Sequence, residues 1–339
     1  MLSLLKSKLN EFFELVAKET LVYLPVDNSS GQASYQKWKE GVVYSSALNT
    51  VRSAKDFFFP QMENLMDFKM QGKSVEVVDT RVEKEDFVIF GVRACDVASF
   101  SILDKVFLAD PVDTYYQNRR DHAVIISMAC SKPESTCFCP LYGIDATKPE
   151  GDLSAWETED RIFFKANTQK GEVLLNNASR LLEESEGQIV EVQRETTKKI
   201  LEELPFAHLD LSKFKGENLM ELFNSPKWAE LSQSCLGCGT CTFVCPTCQC
   251  FDIKDFDTGH GVKRFRCWDS CMYSEFTKMA AANPRLTQLE RFRQRFMHKL
   301  VYFPDNNEGT YGCVGCGRCL IKCPVSMNIV KVIKQLGEE

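Results

Sequence analysis

The sequence has no apolar run approaching the roughly 18 residues that a membrane-spanning helix needs. It has no large block of basic charge either. Its 41 Lys and Arg stand against 47 Asp and Glu, for a net charge of −6, which argues against nucleic acid as a partner. There is no G-x-G-x-x-G and no Walker motif, so neither flavin nor nucleotide is predicted on this chain. Histidine is scarce. Of the four, His122, His208 and His298 fall in no partnered pattern, and His260 reads as a solvated loop residue. No Ser–His–Asp or paired-carboxylate signature can be assigned from spacing. The N-terminal stretch MLSLLKSKLNEFFELVAKET lacks the small-residue cleavage site of a signal peptide and carries Glu11 and Glu14 in helical register. It reads as an amphipathic helix, and the chain as cytoplasmic.

What is abundant is cysteine, with sixteen in 339 residues. A chain this long buries a core without disulfide staples, and in a reducing compartment such a count points to metal ligation. The cysteines are unevenly spread: four lie from Cys95 to Cys139 and twelve from Cys235 to Cys323. This spread predicts two parts, an α/β domain over 1–208 and a helical ferredoxin-like dicluster domain over 209–339, with a helical insertion at 251–311. In the first part LVYLPV (Leu21–Val26), FVIFGV (Phe87–Val92) and HAVIISMA (His122–Ala129) read as strands of a mainly parallel sheet, buried on both faces. Asp96–Phe107 reads as the helix after the second of them, with Asp96 as N-cap. Phe57, Phe58 and Phe59 read as core. Ala178–Glu186, Glu195–Leu204 and Leu209–Ser234 read as helical.

Two runs carry the chemistry. Cys235, Cys238, Cys241 and Cys245 before Pro246, and Cys313, Cys316, Cys319 and Cys323 before Pro324, share the spacing C-x2-C-x2-C-x3-C-P. This is the bacterial [4Fe–4S] pattern. A cubane needs thiolates at the corners of a tetrahedron. A tight loop offers three, and the fourth, at the start of a helix pointing elsewhere, serves the other cluster. One cluster is therefore expected on Cys235, Cys238, Cys241 and Cys323, and a second on Cys313, Cys316, Cys319 and Cys245. Zinc ribbons and disulfide frameworks lack the third C-x2-C step and the C-x3-C-P ending.

The early cysteines follow predicted strands, where loops gather at one sheet edge. Cys95, Cys130, Cys137 and Cys139 can then converge on a third iron–sulfur cluster. A zinc site and metal-free buried thiols are the alternatives. Arg93 and Asp96 flank Cys95 and either tune such a site or form a local salt bridge. Cys248, Cys250, Cys267 and Cys271 are left over, as ligands of one more metal or as packing behind the clusters.

The segments FGVRACDVASFSILDKVF, ACSKPESTCFCPLYG, CLGCGTCTFVCPTCQC, SCMYSEF and CVGCGRCLIKCP follow one another in an order that resembles one family along nearly the whole chain. It is that of the A subunit of anaerobic sulfite reductase and the beta subunit of sulfhydrogenase-type NiFe hydrogenases. The resemblance implies an anaerobic electron-transfer subunit between a flavin- and iron–sulfur-containing NAD(P)H-oxidising subunit and a catalytic redox subunit. The flavin partner would split a hydride into single electrons, and the chain itself would do no bond chemistry. Two rival readings stand beside it. One is a catalytic subunit with substrate at the 95–139 cysteines, and the other a cluster-based sensor of iron or oxygen.

Overall fold

The computed structural model describes residues 1–81 and 86–338. Among these, the strands in chain order are β1 (Leu2–Leu5), β2 (Leu21–Asp27), β3 (Ala33–Lys37), β4 (Met62–Gln71), β5 (Ser74–Asp79), β6 (Phe87–Arg93), β7 (Ala123–Met128), β8 (Leu153–Glu157), β9 (Arg161–Ala166), β10 (Glu183–Glu184), β11 (Phe251–Asp257) and β12 (Gly261–Trp268). They form an eight-stranded sheet, β10-β1-β9-β8-β7-β6-β2-β3, and a four-stranded one, β11-β12-β4-β5.

The large sheet is mixed, which corrects the expectation of a mainly parallel one. Its centre, β2-β6-β7-β8, is parallel. Its flanks are antiparallel, at β2-β3, β8-β9, β1-β9 and β1-β10. Short links join Asp27 to Ala33 and Glu157 to Arg161, and a link that short returns a strand only antiparallel. The central runs behave as doubly covered strands do. Successive side chains of β6 point to opposite faces. Val88 and Phe90 join a core with Phe12, Phe13 and Phe164, while Phe87 and Ile89 join another with Phe58, Phe59, Phe100 and Trp268. Two of the three consecutive phenylalanines, Phe58 and Phe59, are almost wholly buried.

Several local expectations give way to tertiary pairing. Leu2–Leu5 is a strand against β9, so the N-terminal helix starts only at Leu9. Ala178–Glu186 yields a single 3-10 turn at Ser179–Leu181 and then β10 on the edge of β1. Leu209–Ser234 breaks at Pro226 into helices Leu219–Asn224 and Lys227–Gln233, because proline cannot continue a helix. The helix after β6 begins at Ala94 with Arg93 in the cap position. Asp96 caps nothing there, since its carboxylate is taken by an arginine far along the chain.

The insertion 251–311 is not helical throughout. It opens as the hairpin β11-β12, in which Phe251 and Ile253 alternate with Asp252 and Lys254, and Gly259 turns at φ +79°. That is a strand period. The hairpin pairs through β12 with β4, nearly two hundred residues earlier. Its inner end is pinned by Glu63, which accepts from Arg266 and Arg119, and by the Trp268 indole N–H, which donates to the Phe59 carbonyl at 3.1 Å. Helix follows only at Gln288–Met297. A Thr287/Glu290 capping box opens it, and it runs on into a π turn at His298–Tyr302. Among the described residues no helix is long and apolar enough to cross a membrane.

Candidate metal centres

The first run wraps a loop ahead of a one-turn helix, Thr240–Phe243. Cys235, Cys238 and Cys241 line one cavity, and its far wall is Cys323 of the second run, with Met272, Phe292, Phe296 and Arg295 completing it. Backbone N–H groups already address these sulfurs: Gly237 donates to Cys235 Sγ at 3.5 Å and Met327 to Cys323 Sγ at 3.2 Å. Arg295 Nε donates to Cys241 Sγ at 3.1 Å, and its Nη1 is buried with no partner among the described residues. A soft, anionic, sulfur-ligated group answers each of these features: four thiols, N–H groups aimed at sulfur, and an orphaned cationic donor.

The fourth cysteine of the first run leaves that cavity. Cys245 is buried and sits among Cys313, Cys316 and Cys319, whose thiols burial holds above the usual range, Cys316 up to about 12, with the neighbouring Cys245 raising them further. Lys299 donates to Cys245 Sγ at 3.5 Å and to Thr247 Oγ1 at 2.8 Å. The buried Tyr142 hydroxyl, with no other partner among the described residues, faces Cys313. Cys323 thus lines the first run's cavity, and Cys245 lies beside the cysteines of the second run. Burial favours the neutral thiol at Cys313, Cys316 and Cys319, so a metal bound there would displace their protons.

The early cysteines also meet. Cys95 lies in the first turn of the helix Ala94–Phe107, Cys130 follows β7, and Cys137 and Cys139 sit in the next loop. Cys95, Cys139 and Cys316 share one buried cluster, against which Cys130 packs. Burial raises the Cys137 thiol to about 11, and Cys139 senses both Cys130 and Cys137. The second run's loop lies directly on this segment: Phe138 N–H donates to the Gly315 carbonyl at 2.9 Å. Gly315 has φ +61°, and a Cβ there would come within 2.5 Å of Phe138 and Cys139 backbone. Only glycine permits that approach.

Of the leftover cysteines, three come together. Cys248 shares a hydrogen bond with Cys245, and Cys250 with Cys271, a contact that pulls the Cys250 thiol down to about 7. Cys267 does not join them. It stands on β12 opposite Asp252, on the face away from the buried Trp268. His260 lies exposed in the hairpin turn. Among the described residues no three His, Cys, Asp or Glu side chains gather around one point as a single-ion site requires.

Of the buried cations around these sites, sequence reasoning named Arg93 and missed Arg318, Lys55, Arg295 and Lys299. Arg318, beside Cys319, is 3% exposed and donates to both oxygens of Asp96, at 2.5 and 2.7 Å, and to the Thr50 carbonyl at 2.9 Å. Arg93 spends its guanidinium on carbonyls, including Ala129 at 2.9 Å and Ala47 at 3.0 Å. Lys55 stacks 3.6 Å over Trp268 and donates to the Cys248 carbonyl at 3.0 Å. The one sequence signal was position: Arg295 and Lys299 recur at i and i+4 beside Phe292 and Phe296, so the basic residues share a helix side with apolar ones.

Fold and site together define an iron–sulfur protein. Residues 234–327 match the family model described as a 4Fe-4S dicluster domain, which supplies two [4Fe–4S] clusters. Over 335 residues the chain is 32% identical to sulfhydrogenase 2 subunit beta of Pyrococcus furiosus, covering 97% of this chain and 96% of that protein. No solved structure matches. The chain belongs to the sulfhydrogenase beta-subunit family and is an iron–sulfur electron-transfer subunit.

Proposed function

We propose that the chain relays single electrons through three [4Fe–4S] clusters between a flavin-containing NAD(P)H-oxidising subunit and a catalytic redox subunit. Cys95, Cys130, Cys137 and Cys139 would hold the third cluster. Bound there, the clusters supply one-electron acceptors and donors at sulfur-ligated iron. The observation that carries the reading is the contact of the second run's loop with the C-x-C segment. Through it Cys316 lies beside Cys95 and Cys139, so the early site abuts the second cluster's ligands. These in turn share Arg295 with the first cluster's Cys241. The residues form one continuous path. Cys238 is exposed, and Leu236 beside it is 64% exposed, which supports electron exchange with a partner subunit at that end. The catalytic reading of the early site has less support, because four cysteines there saturate the iron.

Iron and acid-labile sulfide per chain test this. Three clusters give about twelve irons and two give about eight. The expected result is about twelve, falling to about eight in Cys139→Ala. Eight irons in the wild type, with spectra unchanged by Cys139→Ala, would remove the third cluster and the relay through it.

A further inference from the structure

Among the described residues, no carboxylate pairs with the two most deeply buried cations of the dicluster domain's central helix. Arg295 is 3% exposed and Lys299 5%. The nearest groups that can carry negative charge beside Arg295 are the sulfurs of Cys241, Cys248, Cys319 and Cys245, and beside Lys299 those of Cys245, Cys248 and Cys313, each anionic once it ligates a metal. A buried charge without a counter-charge costs several kcal/mol, so buried charges are paired or sit beside metal centres. Here the counter-charge can come only from thiolates and what they hold. The two side chains also divide their work. Arg295 donates from Nε to Cys241 Sγ at 3.1 Å and from Nη2 to the Cys241 carbonyl at 3.0 Å, on the first cluster's side, while it also neighbours Cys319 and Cys245 of the second. Lys299 touches only the second, through Cys245 Sγ, and is fixed there by Thr247 Oγ1 at 2.8 Å and the Gly312 carbonyl at 2.7 Å. Its place on a π turn is where helices depart from regular geometry for functional ends.

We infer that Arg295 and Lys299 set the potentials of the two dicluster-domain clusters, Arg295 raising both and screening one from the other, Lys299 raising the second alone. The inference rests on the two-cluster reading of this domain. The physics is electrostatic. Each reduction adds one electron and makes or breaks no bond. A fixed cation in a low-dielectric interior stabilises the electron-richer state more than the electron-poorer one, which raises the potential. A cation between two centres also weakens the repulsion that a first electron exerts on a second.

The test is a reductive titration of the full chain, anaerobic, followed by EPR, in wild type, Arg295→Gln, Arg295→Lys and Lys299→Gln, with iron and sulfide counted first. Lys299→Gln is expected to lower one midpoint and Arg295→Gln both. Each shift should reduce the reduced-to-oxidised ratio at fixed poise at least tenfold, or about 59 mV for one electron. Arg295→Lys should keep most of the wild-type value. Iron-replete Lys299→Gln or Arg295→Gln with unmoved midpoints overturns the inference, as does an Arg295→Lys shift equal to that of Arg295→Gln. If Arg295→Gln loses iron, Lys299→Gln and Arg295→Lys decide the matter alone. Wild type with fewer than about eight irons would instead fault the cluster assignment, and the inference would fall with it, a failure told apart from unmoved midpoints by the iron count.

Discussion

Asp96→Asn should cost far more than one carboxylate's share of a surface would suggest. Asp96 is 1% exposed and Arg318 3%, and the two meet in a two-pronged ion pair at 2.5 and 2.7 Å across 222 residues of sequence. Each hydrogen bond to a charged group contributes about 1.5–3 kcal/mol. Asparagine keeps one accepting oxygen but loses the charge and turns an N–H2 towards the guanidinium, whose other contacts are Thr50 O and Oγ1, and breaking a buried pair in this way costs about 3–5 kcal/mol. Against a total stability of about 5–15 kcal/mol this is a large fraction. With a urea slope near 3 kcal/mol/M, the unfolding midpoint should fall by roughly 1–1.7 M. The assay is anaerobic urea unfolding followed by far-UV circular dichroism in Asp96→Asn, Arg318→Met and the combination Asp96→Leu/Arg318→Met. Well-packed apolar residues of similar volume replace a buried pair with little loss, so the double variant should be more stable than either single one. A midpoint unchanged in Asp96→Asn, or a double variant as unstable as the sum of the singles, would refute the reasoning.

Two further outcomes follow from the same coordinates. Burial first, and then the Lys299 charge, push the His298 imidazole down from 6.5 to about 4. The unfolded chain therefore binds that proton more readily, so stability is fully present above about pH 6.5 and falls as pH drops towards 4, by on the order of 3 kcal/mol. His298→Phe should flatten this part of the stability-against-pH curve, and an equal slope in both proteins would count against it. Gly315→Ala should cost more than the roughly 1–2 kcal/mol of a left-handed residue, because the added Cβ collides with Phe138 and Cys139. Gly259→Ala, at φ +79° with nothing within 4 Å, should cost only the backbone part. Urea midpoints of the two variants make the comparison, and equal losses would mean that the Gly315 contact is not tight.

The cysteine runs were legible because their information is local: three ligands two residues apart and a Pro after the fourth need no knowledge of the rest of the chain. The strands at Phe87 and Ala123 were legible because burial on both faces leaves an unbroken apolar run. What stayed hidden is long-range. Nothing near Asp96 announces Arg318, so a first-turn aspartate read as a cap. The hairpin at 251–268 was taken for helix because its partner strand lies near residue 65. Cys267 looked like one more ligand until strand alternation turned it away from Trp268. Arg295 and Lys299 drew no reading at all, since a charged side chain is inside only when something there needs its charge, and nothing local names what that is.

The small sheet has a consequence for how such a chain arises and changes. Its strands come from two distant stretches joined at one seam: β4 and β5 come from before the early cysteines, β11 and β12 from between the two late runs, and β12 pairs with β4. Add the Asp96–Arg318 clasp and the Phe138–Gly315 backbone bond, and the halves are interlaced like fingers and not threaded like beads. Ferredoxin-type modules are portable when they are beads. This one has given up portability: cutting it free would strip β4 from β12 and leave a bare strand edge beside the cluster loops. Variation in this protein should therefore collect at its rims and tips, while the two cysteine runs and the sheet that spans them travel together as a single inheritance.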